Sequence, residues 1–322
     1  MFITRDQAQA LFVGFNAQFQ NGIGSATPVW QDFSTLMPSN TKNALYHWVD
    51  QLPSLREWIG SRTINNAALR DYTLPNKNFE HSLAFNKFDL ADDQHGAYGA
   101  WVQEQGKAGG RWPDEQMALA VKNATTVNCY NGHPFFYASH PVNMDNAGGG
   151  TFSNLLTGAA YDITKDPTGT WQAGSEAMAA FTGAGGANLG LQADTMMVPT
   201  NLRRYAVEAA KAELVPQTFA ATGPATTSGI VAAAPKTNIY VCDFKVIVNP
   251  YLPTASPSVV IFDSKVGIKP FIWQLRQAPV FIPQTDPSLS QPFYHQEFVF
   301  GVEARGAAGY SLPFLAVRLA AA

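Results

Sequence analysis

Residues 92–124, DDQHGAYGAWVQEQGKAGGRWPDEQMALAVKNA, carry most of the information about the fold. Asp92 and Asp93 can cap a first helix, which has Tyr98, Trp101 and Val102 on one side. Three glycines interrupt it: Gly106, Gly109 and Gly110. Pro113-Asp114-Glu115 then restarts a helix, because proline suits the first helical position and acids suit the positive end of the dipole. With Met117, Val121 and Ala124 facing a core, the stretch predicts a long, kinked helical spine.

The N-terminal segment predicts a helix with one aromatic side. Thr4 and Gln7 have capping-box spacing, and Asn21-Gly22 is a typical helix end. The apolar positions recur at helical spacing and comprise Ala8, Leu11, Phe12, Phe15 and Phe19. This face must be covered by the same chain or by a neighbour, so Phe12, Phe15 and Phe19 are candidate intersubunit contacts.

A second amphipathic segment, interpreted as helical, carries Ala44, Leu45, Trp48, Val49 and Leu52. Pro53 ends it. Ser54 and Glu57 then have the spacing of another capping box, which predicts a short helix ending at Gly60.

Residues 62–90 predict a long two-stranded ribbon. Leu83 and Phe85, then Phe88 and Leu90, alternate with polar residues, and the slip between the pairs indicates a bulge. The opposite arm, around 64–74, is polar, and the Pro75–Asn78 tetrapeptide predicts the turn. Since an isolated ribbon is marginal in water, we expect it to lie on another subunit. Lys77 and Glu80 near its tip would then form an intersubunit salt bridge or stay in a solvated turn.

The second half of the chain mixes short elements. Helices are predicted over 176–181 and 202–214, the latter capped by Thr200, and strands over 240–248, 258–262 and 298–304. A turn at Gly306–Gly309 leads to a last strand through Leu315 and Val317. Residues 217–236, rich in Ala, Thr, Gly and Pro, predict a mobile surface loop. No βαβ rhythm repeats, so the predicted class is α+β.

Composition favours a chain whose surface is covered by other subunits. Of 322 residues, 46% are hydrophobic, 12% aromatic and only 14% charged, whereas an average soluble protein has roughly 25% charged residues. A nearly neutral enzyme would fit these values equally well. The net charge is -3, and no basic cluster is denser than Arg203-Arg204, so tight binding to nucleic acid is not expected.

The cysteine pattern and the apolar runs predict a cytoplasmic, soluble protein. The two cysteines lie far apart, which fits a reducing compartment. The start of the chain lacks a signal-peptide pattern, and no apolar run approaches the ~20 residues of a membrane span.

The best candidate metal ligands are Cys129, His133 and His140, with His81 and His95 as possible additions. They lack the tight pairs that usually aim two side chains at one zinc ion. His133 and His140 each precede a proline, where an ordinary turn histidine is the simpler interpretation. The sequence therefore predicts no catalytic residue, no metal and no cofactor. A metal-dependent hydrolase using Cys129, His133 and His140 is the alternative from a different class.

Several stretches resemble the Mu-like phage major head subunit family. The first is Leu52–Gly60 followed by Arg62; the second is Asn76-Lys77 with Phe79-Glu80, then Asp92-Asp93 with Gly96 and Tyr98. The others are Gly132 with Phe135-Phe136 and His140, and Val302–Gly306 with Gly309-Tyr310. Asn131-Gly132 stands where the family has Asp-Gly, and the Ala/Thr-rich loop looks like an insertion. Candidate contacts on the matched stretches are Arg56, Glu57, Trp58, Arg62, Asn76, Lys77, Phe79 and Glu80.

The resemblance implies an α+β, Hong Kong 97-type phage capsid fold. Residues 1–60 would form the N-terminal arm and 61–91 the extended β-hairpin loop. Residues 92–142 and 280–322 would form the peripheral domain with the spine helix, and 143–279 the axial domain, which contains the 217–236 loop.

The implied function is a major capsid protein that assembles into pentamers and hexamers of an icosahedral head enclosing double-stranded DNA without sequence-specific binding. Implied partners are further copies of the chain, a scaffold, a portal and minor or decoration head proteins. It would be assembled in the bacterial cytoplasm and end in the virion, without a membrane. An encapsulin-like shell protein is the nearest alternative.

Overall fold

The computed structural model describes residues 5–49, 69–92, 96–144, 150–183, 186–215, 235–255, 257–284 and 296–321. The helices are α1 (Arg5–Ser25), α2 (Trp30–Phe33), α3 (Lys87–Ala91), α4 (Ala97–Asn123), α5 (Pro167–Ala179) and α6 (Arg203–Lys211). The first strands are β1 (Ser34–Pro38), β2 (Asn43–Val49), β3 (Leu69–Pro75), β4 (Lys77–Asn86), β5 (His140–Pro141), β6 (Thr151–Phe152) and β7 (Leu155–Thr157). The later strands are β8 (Thr195–Pro199), β9 (Leu214–Val215), β10 (Lys236–Thr237), β11 (Lys245–Asn249), β12 (Ser258–Phe262), β13 (Phe271–Gln284), β14 (Glu297–Tyr310) and β15 (Ala316–Ala320). None of the helices in these ranges is long and apolar enough to cross a membrane.

Two sheets organise the chain, which confirms the α+β class. The four-stranded sheet has the order β1-β13-β14-β4, and the five-stranded sheet has the order β11-β8-β12-β15-β7. In the first, β1 runs parallel to β13 and the other pairs are antiparallel. In the second, β8 and β11 are parallel, as are β15 and β7. The hairpin β2–β3 forms a separate two-stranded sheet.

The spine helix α4 runs without a break from Ala97 to Asn123, so the predicted interruption at its glycines is wrong. These glycines instead allow α1 to lie directly on α4. A Cβ on Gly106 would come within 2.2 Å of the Phe19 carbonyl oxygen, and one on Gly22 within 2.1 Å of the Gln103 carbonyl oxygen. The same contact explains why α1 continues past Asn21-Gly22 to Ser25: Gly22 is a packing residue and not a helix end.

Pro113 and Asp114 lie inside α4, and the predicted restart of the helix there is wrong. The Asp114 carboxylate is buried and accepts hydrogen bonds from the backbone N–H groups of Val29 (3.0 Å) and Trp30 (2.7 Å). Burial raises the pKa of Asp114, and these two hydrogen bonds partly oppose the shift. Asp114 therefore anchors the α1–α2 connection to the spine.

Three apolar cores hold the elements together. One lies between α4 and both sheets and contains Met117, Val121 and Ala124, which confirms the predicted core face of the spine. A second lies between the five-stranded sheet and the helices α5 and α6. The third joins α1 to the strands β4, β13 and β14.

The predicted pairing of the ribbon strands is wrong. The segment 43–49 is the strand β2 and not a helix, and it pairs with β3 so that Asn43 faces Pro75 and Val49 faces Leu69. The strand β4 pairs with β14, from Lys77 opposite Gly306 to Asn86 opposite Glu297. Period-two and helical apolar patterns overlap in so short a segment, and only the pairing partner distinguishes them.

Other local predictions are also corrected. The slip after Phe85 is the short helix α3, whose N-cap Asn86 accepts from the Phe88 N–H, and Asp92 follows this helix without capping α4. The strand β14 runs straight through Gly306–Gly309, where the expected turn is absent. The strand β15 joins the five-stranded sheet and does not return to the sheet that contains β14. Thr200 lies in a 3-10 turn and does not cap α6.

Some predictions fall outside the described residues. These are the short helix from Ser54 to Gly60, Asp93 and His95, and the loop segment 216–234.

Candidate assembly surfaces

The aromatic side of α1 packs on its own chain. Phe19 is fully buried, and its ring stacks on Phe281 with centroids 5.3 Å apart. Phe15 meets Phe300 edge-on at 5.2 Å, and Phe12 stacks on Phe281 at 5.7 Å. Of the three predicted contacts, Phe12 keeps part of its surface exposed. The intramolecular alternative therefore accounts for most of this face.

The β2–β3 hairpin is fixed at its base by a buried amide. Gln274, fully buried on β13, accepts from the Tyr46 hydroxyl at 2.7 Å and donates to the Asn76 Oδ1 at 2.7 Å. The Asn76 side chain donates in turn to Ser39 Oγ (2.9 Å) and to the Thr41 carbonyl (2.8 Å). Asn76, predicted at the ribbon tip, thus joins the hairpin to the four-stranded sheet.

On the face opposite Tyr46, the hairpin offers side chains to other molecules. Leu45 on β2 and Leu69 on β3 are 49% and 62% exposed. His47 and Asp71 form an exposed pair, with Nδ1 and Oδ1 2.7 Å apart. The candidates Arg56, Glu57, Trp58 and Arg62 belong to the segment 50–68 between the two strands, outside the described residues.

The remaining candidates lie on β4, at the edge of the four-stranded sheet. Lys77 and Glu80 are both exposed, and neither forms a salt bridge with a described residue. Three positions apart on a strand, they point to opposite faces, so they do not form a local pair. Phe79 is half-buried, and its ring meets Trp112 at 5.0 Å.

The sheet face turned away from α4 carries an acidic pair that forms no salt bridge with the described residues. Glu80 on β4 lies directly opposite Glu303 on β14, and both are exposed. Val280, 43% exposed, faces Glu303 from β13, and Ile282 is exposed on the same strand. Like charges at directly opposed positions destabilise a sheet, so this pair does not stabilise the isolated subunit. Sequence reasoning missed Glu303, because only the register brings it beside Glu80.

Two of the clefts along α4 lie between this helix and neighbouring strands. One, of about 220 Å³, lies beside β3 and β14 and includes the exposed side chains of Leu119 and Val127. The other, of about 260 Å³, lies beside β4 and contains Gln105 and Trp112. Neither cleft was expected from the sequence.

The histidines considered as metal ligands are used for packing and hydrogen bonding. His140 is fully buried; its Nε2–H donates to the Phe135 carbonyl (3.1 Å), so its Nδ1 accepts from the Asn131 amide (2.8 Å). Burial lowers the pKa of His140 to about 4 and raises that of the Cys129 thiol to about 11. Within the described ranges, no three His, Cys, Asp or Glu side chains could share a metal ion. The geometry thus gives no support to the hydrolase alternative.

The chain is similar in sequence to known proteins. A family model described as Mu-like prophage major head subunit gpT matches residues 8–165 and 237–321. The Mu-like prophage FluMu major head subunit of Haemophilus influenzae is 34% identical over 173 residues, 53% of this chain and 54% of that protein. The major capsid protein of Escherichia phage Mu is 33% identical over 150 residues, 46% of this chain and 49% of that protein. The chain thus spans about half the length of these curated relatives.

The fold is also that of a solved phage shell. The chain is similar to a chain of the bacteriophage JBD30 procapsid, with a TM-score of 0.58 and 25% identity. The likeness covers 98% of this chain and 75% of that one, so it includes both sheets and the hairpin. The family model, which matches well over half of the chain, agrees with this fold. The chain therefore belongs to the Mu-like prophage major head subunit family and has the Hong Kong 97-type capsid fold.

Proposed function

We propose that the chain is a major capsid protein, which assembles into pentamers and hexamers of an icosahedral phage head around double-stranded DNA. The observation that carries this proposal is the β2–β3 hairpin. It is held at its base by the Gln274–Asn76 network and exposes Leu45 and Leu69 on the face opposite Tyr46. A hairpin that is hydrogen-bonded at its base and exposed on one face can contact a neighbouring copy at the slightly different angles of pentamers and hexamers.

In the capsid nomenclature, the four-stranded sheet with α4 is the peripheral domain. The five-stranded sheet with α5 and α6 is the axial domain. We assign the extended loop to the β2–β3 hairpin and to the segment 50–68 that joins its strands in the sequence. The contact candidates Arg56, Glu57, Trp58 and Arg62 all belong to this loop.

The proposed partners are further copies of the chain, a scaffold, a portal and minor or decoration head proteins. Assembly would take place in the bacterial cytoplasm and end in the virion, with no chemical step carried out by the chain. The net charge of -3 suits a container, because it lets packaged DNA move without being held. The family match favours a phage head over an encapsulin-like shell.

Removal of the hairpin tip tests the proposal. Val49 and Leu69 are directly opposed, so replacing residues 50–68 by Asn-Gly closes the two strands with a tight turn. We expect light scattering and electron microscopy to show megadalton particles or five- and six-membered rings for the wild type. The shortened chain should stay a folded, unassembled subunit. Normal particles from it would refute the role of the hairpin.

A further inference from the structure

An exposed apolar patch lies at the β9–β10 pair. Ile239 is 73% exposed, the highest value among the large apolar side chains of the described ranges, and Leu214 is 57% exposed. Leu214 lies opposite Thr237, and the hydrogen bond from the Asn238 N–H to the Glu213 carbonyl (2.8 Å) continues this pairing by one residue. Leu214 and Ile239 are therefore diagonal neighbours on one face of the two strands. We call these two residues the loop-base patch.

The backbone that carries Ile239 is anchored to α6. The preceding residue, Asn238, is only 5% exposed and donates through Nδ2 to the carbonyl groups of Ala209 (2.8 Å) and Ala212 (2.9 Å). Carbonyl groups at the C-terminal end of a helix have no partner within the helix, so the Asn238 side chain satisfies groups that need a donor. The anchored turn holds Ile239 at the surface of the subunit.

The segment 216–234, which joins β9 to β10 in the sequence, contains no Asp, Glu, Lys or Arg. Its large apolar residues are Phe219, Ile230 and Val231. Surface segments that stay in water normally carry charges of both signs. Identical copies repel each other wherever like charges meet, so an uncharged segment is suited to contact with another copy of the same chain. Its apolar residues also match an apolar patch in chemistry.

We propose that the loop-base patch of one copy is covered by the segment 216–234 of a second copy; this deepens, and rests on, the proposed self-assembly. The segment begins after Val215 and ends before Pro235, so each copy carries the patch and its occupant side by side. A head-to-tail contact then places the segment of one copy on the patch of the next, and such contacts close a ring when the rotation permits. The segment lies outside the residues that the family model matches, so this contact does not follow from family membership.

The first test makes the patch polar. The patch variant is Leu214→Thr/Ile239→Thr, and the matched control is Val13→Thr/Val266→Thr, which changes two exposed apolar residues elsewhere. We expect unchanged urea unfolding of both subunits, because all four side chains are exposed. The concentration for half-assembly should rise about tenfold or more for the patch variant and less than about threefold for the control. Equal effects of the two variants would overturn the proposal.

Removal of the segment distinguishes a second copy from the chain's own segment as the occupant. Val215 and Lys236 are directly opposed, so replacing residues 216–235 by Asn-Gly closes the two strands with a tight turn. We expect the shortened subunit to unfold in urea like the wild type and to assemble as poorly as the patch variant. Adding the patch substitutions to the shortened chain should then have no further effect on assembly. A destabilised subunit, with no further loss from the patch substitutions, would mean that the segment covers its own patch and would refute the second copy.

A second measurement applies if the wild-type chain stays unassembled, which would count against self-assembly and not against the patch. The probe is a synthetic peptide of residues 216–234, added to the shortened subunit, with a scrambled peptide of the same composition as control. The readout is the NMR signal of the Ile239 δ1 methyl group, identified with Ile239→Thr. We expect a saturable shift with the native peptide only. No shift, or an equal shift with the scrambled peptide, would show that the segment does not recognise the patch. Peptide binding by a chain whose assembly ignores Leu214 and Ile239 would exclude a second copy as the donor.

Discussion

The two sheets of this subunit differ in how completely the chain covers them. The five-stranded sheet has α5 and α6 on one face and the spine core on the other, so neighbouring residues such as Met196 and Met197 are both fully buried. The four-stranded sheet is covered by α1 and α4 on one face. On its other face, Gln274 is buried where it contacts the β2–β3 hairpin, whereas Glu80, Glu303 and Val280 are exposed. One sheet is completed within the subunit, whereas the other leaves surface for contacts with other molecules.

The largest effect should come from substituting the glycines that allow helices to pack closely, namely Gly106 in α4 and Gly174 in α5. Gly106→Ala would press a methyl group against backbone atoms of α1, which cannot move aside, and we expect a loss of about 3 kcal/mol in the free energy of unfolding. Gly174→Ala in α5 would meet only the side-chain tips of Ile261 and Leu319, so about 1 kcal/mol is expected. Urea unfolding measures both.

The matching control for these substitutions is Gly14→Ala. Gly14 lies in α1 with nothing near its Cβ position, so alanine there should stabilise the helix by about 0.5 kcal/mol. Equal costs at Gly106 and Gly174 would contradict the difference drawn between backbone and side-chain contacts.

The stability of the folded chain should fall at acidic pH because of His140. The pKa of this group is lowered to about 4 in the folded chain, whereas an unfolded histidine titrates near 6.5. Below pH 6.5 the unfolded state therefore binds a proton that the folded state does not, and stability falls as pH falls towards 4, by up to about 3 kcal/mol. His140→Gln should be less stable at pH 7 but lose less on acidification. Parallel pH profiles of urea unfolding for the two proteins would disprove this assignment.

The hydrogen bonds at the base of the hairpin should contribute somewhat less to the free energy of unfolding. Asn76→Ala removes the hydrogen bonds to Gln274, Ser39 and Thr41, two of them made by a partly buried amide, and we expect a loss of about 2 kcal/mol. Asn78→Ala, two residues on, removes only an exposed contact with Arg305 and should stay within about 0.5 kcal/mol. Thermal unfolding of both variants gives the comparison. Similar losses would mean that the network does not hold the hairpin.

The smallest effect is expected on the uncovered sheet face. Glu303→Gln relieves the repulsion from Glu80 and should stabilise the isolated subunit by a few tenths of a kcal/mol. A double-mutant cycle with Glu80→Gln isolates the pairwise coupling, which should be unfavourable in the wild type. A favourable coupling would show that the pair is already compensated within the subunit.

Sequence periodicity identified the elements whose partners are close in the chain or whose pattern is long. The strand 258–262 was predicted with its observed bounds, and the core face of the spine through Met117 and Val121 is confirmed. The segment 43–49 was assigned to a helix because its apolar spacing fits both periods over so few residues. Gly306 and Gly309 suggested a turn, yet β14 continues there. Both positions need glycine because of close neighbours: a Cβ at Gly306 would lie 2.7 Å from the Gln274 carbonyl oxygen, and one at Gly309 would lie 2.6 Å from the Leu74 side chain.

The candidate sites also differ in whether local patterns or distant partners define them. The family and its implied fold were accessible from dispersed motifs, and the lack of zinc-ligand spacing was visible in the positions of Cys129, His133 and His140. The Asn76–Gln274 network joins residues almost two hundred positions apart, and no local pattern marks either as a partner of the other. The same holds for the side chains of Gln105 and Trp112, because the burial of their unpaired polar atoms depends on distant segments.

The sequence by itself determined the class and the aromatic and apolar faces, because burial leaves a periodic record along the chain. Its dispersed motifs carried the resemblance to the family. Tertiary structure alone decided which strands pair, that the glycines of the spine serve contact and not interruption, and that Phe15 and Phe19 fold back onto their own sheet. These outcomes depend on which distant surface an element meets. That choice is made by shape and hydrogen bonding between segments, and it leaves no local signature.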